Sequence, residues 1–141
     1  MHEPKLFFKM VRYQLKSIKY DFLPNPQDSV GKIEIKITDT VDIIRCDEQE
    51  IEIEIKRSIR FMPEALFTLD VVVALINKLD TDKSYVFQDE AERNTYVENN
   101  IKHIVDGSNI IQQVSLLIGN ITSNYGRIPI ISPPDLIIDS E

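Results

Sequence analysis

The chain has 141 residues, 43% of them hydrophobic and 28% charged, a globular composition with length enough for one buried core. A formal net charge of −7 argues against a surface built for nucleic-acid phosphates or anionic membrane, and no apolar run is long enough to span a bilayer. The single cysteine, Cys46, has no intramolecular partner, so a reducing, cytoplasmic setting is the expectation.

The opening MHEPKLFFKMVRYQ has scattered charges and no apolar h-region, unlike a signal peptide. A first strand is predicted over about 7–23. Val11, Tyr13 and Leu15 share one parity, whereas Ile18, Tyr20 and Phe22 share the other. Strand side chains alternate with period two, so the switch near Lys16–Ser17 implies a bulge or bend. PNPQDSVG at 24–31 reads as a loop within one domain spanning 1–141. KIEIKIT alternates with Ile33, Ile35 and Ile37 on one face. EIEIEIKRSIRF does the same with Ile51, Ile53, Ile55, Ile59 and Phe61, interrupted by Arg57. EALFTLDVVVALI is a fourth, more buried strand. One apolar and one charged face predict an antiparallel sheet wetted on one side.

From about residue 88 the period becomes helical. Thr95 and Glu98 match a capping box, and Asp89 offers an earlier start. Val97, Ile101, Ile104 and Val105 form one stripe, and Gly107 is a stop signal. Asn109 can cap a second helix over 110–124, with Ile110, Val114, Leu117, Ile118 and Ile121 as its core face. Four strands followed by helices packed on one face make an α+β fold. No charged residue occurs from Ser108 to Tyr125. Opposite the stripe lie Gln112, Ser115, Leu116, Gly119, Asn120, Thr122 and Ser123. The small row Ser115, Gly119 and Ser123 admits another backbone, either the chain's own C-terminal strip or a second copy. The expected oligomer interface is Gln112, Ser115, Leu116, Gly119 and Ser123.

Catalytic and metal-binding constellations are not evident. His2 and His103 lack the partners a zinc site needs, and acidic neighbours should quieten Cys46. The four glycines form no phosphate loop, so no nucleotide or other cofactor is expected. DEQE and QDEAE read as a turn and a solvated helix start, and the NIT sequon at 120–122 falls inside a predicted helix. A non-enzymatic binding protein is the expected class.

The order of these features resembles the SecB family of export chaperones. Asn109–Gly126 lines up without a gap on that family's long helix, which begins near Asn-Ile-Leu and ends at Gly. Pro129, the strip Ile130–Ile131 and Pro133 follow in the family's order. YQLKSI at 13–18 is similar to its first strand, and EALFTLDVVVALINKLD to its fourth. The chain departs from the family's Phe-Pro-Tyr-Ala-Arg at Gln112–Leu116, and Glu141 leaves barely one turn after Pro134 where the family has a terminal helix.

The resemblance implies an ATP-independent holdase for unfolded or extended apolar clients, either preproteins or a dedicated antitoxin. It also implies a homotetramer. A SecA contact would use an acidic sheet face such as Glu34, Glu52 and Glu54. The alternative is a SecB-fold adaptor that binds one folded partner without chaperone activity. Gly126 and the prolines should hold the C-terminal strip extended. The expected client groove has one wall of Ile128, Ile130, Ile131, Leu136 and Ile137 and a second of Tyr20, Phe22 and Leu23; the bland reading is that the strip caps the core.

Overall fold

A computed structural model describes residues 5–24, 32–125 and 129–137. Four antiparallel strands, β1 (Phe8–Phe22), β2 (Glu34–Cys46), β3 (Glu50–Met62) and β4 (Phe67–Leu79), form one sheet in the order β1-β4-β3-β2. Helices α1 (Glu90–Asn99), α2 (Ile101–Ser108) and α3 (Ile110–Asn124) follow. The expected loop at 25–31, the Gly126 stop, His2 and Ile128 lie outside the described residues.

The core forms on the face selected by strand periodicity. Ile51, Ile53, Ile55, Ile59 and Phe61 of β3 pack beside Phe67, Leu69, Val71, Val73 and Leu75 of β4. Val97, Ile104, Val105, Ile110, Ile111, Val114 and Ile118 close the core from the helix side. The parity switch in β1 is a register shift between Leu15 and Ser17. It leaves both apolar triads on the core-facing side: Tyr13 opposes Leu75, Leu15 opposes Val73, Ile18 opposes Val71 and Tyr20 opposes Leu69.

Helix boundaries depart from the expectation in two places. Asp89, not Thr95, caps α1: its carboxylate accepts from Glu92 N at 2.8 Å, while the Glu92 carboxylate accepts from Gln88 N at 3.1 Å. Thr95 lies inside that helix. Gly107 lies within α2, and Asn109, at φ 66°, makes the left-handed turn into α3. Asn tolerates that conformation better than most residues. The side chain of Asn109 makes no cap; Ser108 Oγ accepts from Ile110 N instead.

Arg57 interrupts the apolar row of β3 because its cross-strand neighbour on β2 is Asp39. Both side chains are buried, joined by paired bonds of 2.8 Å. The remaining guanidinium N–H groups reach the C-terminal strip at Ser132 Oγ, Pro133 O and Asp135 O. The strip is tied down further by Ile130 N donating to Thr122 Oγ1, Ser115 Oγ to Ser132 O, Leu136 N to Asp106 and Ile137 N to Asp39. Ile130 and Leu136 are buried in the common core.

The chain's own strip therefore takes the room beside Ser115 and Gly119. A Cβ on Gly119 would stand 3.7 Å from Ile130 O, an ordinary contact. Gly119→Ala should hold or raise stability, by up to about 1 kcal/mol, through helix propensity. Gly119→Leu should lower it by about 1–3 kcal/mol by forcing the strip outward. Chemical denaturation of the two variants distinguishes this packing from an exposed helix face.

Candidate functional site

The helices cover the middle of the sheet and leave β1 under-covered. β1 is an edge strand of 15 residues, paired among the described strands with β4 alone. Val11, Tyr13, Leu15 and Ile18, all on its core-facing side, are between 42% and 53% exposed. A long apolar edge is a template for another extended chain, and soluble proteins normally blunt such edges with charge, proline or a cover.

The uncovered row borders an apolar trough. One section, about 140 Å³, lies between β1 and α3 and is lined by Tyr13, Leu15, Val73, Ile110, Val114 and Leu117. A larger section of about 350 Å³ lies between the first half of β1 and the first two helices, against Phe8, Val11, Asn77, Tyr96, Ile104 and Ser108. Tyr13 stands between them, its hydroxyl donating to Ser108 O. Tyr20 makes a second crossbar, donating to Tyr125 O at 3.1 Å while its ring stacks on Phe67 at 5.1 Å.

The two expected walls of a client groove take different places among the described residues. Tyr20, Phe22 and Leu23 sit at the β1–β4 side of the sheet, with Phe22 exposed and Leu23 N bonded to Leu66 O. The strip lies across α3 toward β2 and β3, anchored on Asp39 and Arg57. Ile130 and Leu136 are core, Ile137 is half-buried, and Ile131, at 94% exposure, is freely presented. Of the expected interface residues, Gln112, Leu116 and Ser123 remain exposed on α3, while Ser115 and Gly119 face the strip.

Sequence reasoning missed the trough row itself. The signal was present: once a bulge is placed at Lys16, both apolar triads of β1 fall on one face, longer than the helix layer covers. The open sheet face is mixed rather than acidic. Glu52 and Glu54 share it with Lys56 and Arg60, and Arg60 is paired to Asp70 at 3.0 Å. Cys46 is half-buried, and burial is the main reason its thiol is pushed above the ordinary range; Asp47 and Glu90 add to this and Arg93 opposes it. No helix among the described residues is long and apolar enough to cross a membrane.

No protein-family model matches the chain, and no curated protein matches it. Among solved structures, a SecB-like chaperone of Mycobacterium tuberculosis, in complex with a ChAD peptide from the HigA1 antitoxin, is similar over 96% of this chain and 91% of that one. The TM-score is 0.55 at 14% identity. The chain has a SecB-like fold. A protein of unknown function from Streptococcus agalactiae also matches, at 10% identity over 99% of this chain and 100% of that one, with a TM-score of 0.41. In this SecB-like chain the four-stranded sheet leaves its trough along β1, and the C-terminal strip closes the opposite side of the helix layer.

Proposed function

We propose that the chain is a SecB-like, non-enzymatic holdase that binds an extended apolar segment of a client polypeptide along β1. The observation that carries this reading is the half-exposed row Val11, Tyr13, Leu15 and Ile18 beside a strand edge that no other described strand pairs with. An extended client can add main-chain hydrogen bonds to such an edge while its side chains enter the trough. Burial then contributes about 25 cal/mol per Å² of apolar surface without any nucleotide. The chain's net charge of −7 keeps a loaded complex soluble and favours neutral or basic clients. The similarly folded mycobacterial chaperone, captured with an antitoxin peptide, supports a peptide client, and a dedicated antitoxin segment fits better than a broad set of preproteins. The mixed open sheet face offers a SecA-like partner no acidic platform. The reading includes a cytoplasmic setting and self-assembly through the uncharged exposed side of α3 at Gln112, Leu116 and Ser123.

The decisive experiment pairs Leu15→Ser with Ile18→Thr. Both side chains are about half exposed, so the double variant should change the denaturation midpoint little. Affinity for a labelled, permanently unfolded client, read by fluorescence anisotropy, should fall about tenfold or more. Protection of a heat-denatured client from aggregation should fall in parallel. Unchanged affinity would remove the trough from consideration. Affinity for one folded protein only, with no protection of unfolded clients, would favour an adaptor.

A further inference from the structure

Asn77 is the residue whose burial the fold does not explain. It occupies the core-facing row of β4, between Val11 on β1 and Ile51 on β3. Its neighbours in that row, Leu75 and Leu79, are apolar core residues. Asn77 is 1% exposed, yet neither its Nδ2 nor its Oδ1 has a hydrogen-bond partner among the described residues. A carboxamide taken out of water with both ends unpaired opposes folding, and a leucine at the same place would not. A buried polar group left in this state calls for an explanation, such as a partner or bound water beside it.

The same residue borders the larger section of the trough, a cavity of about 350 Å³. That volume is within the range of ligand pockets and far above the share of one water. The cavity lies against Phe8, Val11, Tyr96 and Ile104. Asn100, another amide on its wall, is already committed, with Nδ2 donating to Tyr96 O at 2.8 Å. Asn77 therefore holds an unpaired donor and an unpaired acceptor side by side in the wall of a mainly apolar recess, both closed to solvent, so that a small shift of the wall is needed to bring them to a bound group.

Few groups complement that pattern. A carboxylate accepts only, an ammonium donates only, an aliphatic side chain does neither, and a hydroxyl does both from a single atom. An amide does both at matched spacing. A second carboxamide can pair with the first through two parallel N–H···O bonds. The N–H and C=O of one residue in an extended chain point to the same edge and offer the same pattern.

We propose that Asn77 reads an amide group of the bound client, most directly the carboxamide of a Gln or Asn side chain inserted into this recess. The inference rests on the trough being the client site. It makes the trough selective: flanking positions take apolar side chains, and one position takes an amide.

The test uses two labelled, otherwise identical unstructured apolar peptides. One carries Gln at regularly spaced positions, and the other carries Met there, similar in length but without the amide. A third peptide keeps Met and replaces alternate backbone amides by esters. Binding is measured by anisotropy to the wild-type chain and to Asn77→Leu, with Asn77→Ala as a second variant should the first fail to fold. The wild type should prefer the Gln peptide about tenfold, the discrimination expected of two hydrogen bonds made in exchange for water. Asn77→Leu should abolish that preference and raise the denaturation midpoint. If Gln and Met peptides bind alike, but Asn77→Leu weakens both and erases the wild type's preference for amide over ester, the backbone is the source and the amide assignment stands. If Asn77→Leu binds every peptide at least as tightly as the wild type, Asn77 is only a buried core amide and the proposal fails. If no peptide binds the wild type, the client reading of the trough fails, an outcome distinct from equal binding.

Discussion

Arg57→Ala is expected to destabilise the chain by about 3–5 kcal/mol, a large part of the stability of a domain this size. Arg57 and Asp39 are both buried, and removal of the cation leaves the Asp39 carboxylate desolvated and unpaired. Three acceptors on the strip, Ser132 Oγ, Pro133 O and Asp135 O, lose their donor in the same step. The strip should loosen before the sheet does, because its own ties run through Arg57 and Asp39 at its Ser132–Ile137 end. Urea denaturation should show the loss of stability, and amide exchange should show Ile130–Ile137 losing protection ahead of β3 and β4. Replacing the pair together, Asp39→Leu with Arg57→Met, should recover part of the loss. An apolar pair removes the stranded charge. It cannot recover all of it, since Ile137 N and the strip carbonyls still lack partners. A mild effect of Arg57→Ala, below about 1 kcal/mol, would mean that water reaches the pair and that the strip is held by its apolar residues and its bonds to Ser115, Thr122 and Asp106.

Much of this arrangement was legible in the chain, and the rest failed for identifiable reasons. The sheet was readable because β3 alternates without a gap, and even its exception was informative. Arg57 falls on the apolar parity of β3, and Asp39 falls on the apolar parity of β2. Opposite charges at matched inward positions of adjacent strands predict a buried pair, but only once the register is known, and register is a tertiary fact. The β1 bulge was readable from parity, whereas its consequence needed the position of the helices. A row of four apolar side chains becomes a candidate site only because β1 is an edge, and strand order is not written in local periodicity. The small row on α3 shows the same limit. Ser115 and Gly119 do signal close backbone approach, and the approaching backbone is the chain's own strip. The sequence allowed either a strip or a second copy, because close approach has one signature whatever arrives. Asn77 carried no local signal: one amide in an apolar strand looks like a tolerated interruption until its partners are counted.

The Pro-rich strip carries the other large expected effect, and it separates two adjacent isoleucines. Ile130 is 7% exposed and packs into the common core; Ile131, one residue on, points away into solvent. The alternation follows from the extended backbone that flanking prolines favour and that the bonds from Ile130 N to Thr122 Oγ1 and from Arg57 to Ser132 Oγ fix in place. Ile130→Ala should therefore cost about 2–5 kcal/mol, the transfer term plus an unfilled cavity beside α3. Leu136→Ala should cost a similar amount, since that side chain is also core. Ile131→Ala should stay within about 0.5 kcal/mol of wild type. The same three variants bear on function. The trough lies along β1, and the strip lies across α3 from it, so Ile131→Ala should leave client affinity unchanged. A tenfold loss of client affinity in Ile131→Ala, with an unaltered denaturation midpoint, would move the binding surface to the strip and away from β1. Equal costs for Ile130→Ala and Ile131→Ala would show instead that the strip is not held in this register.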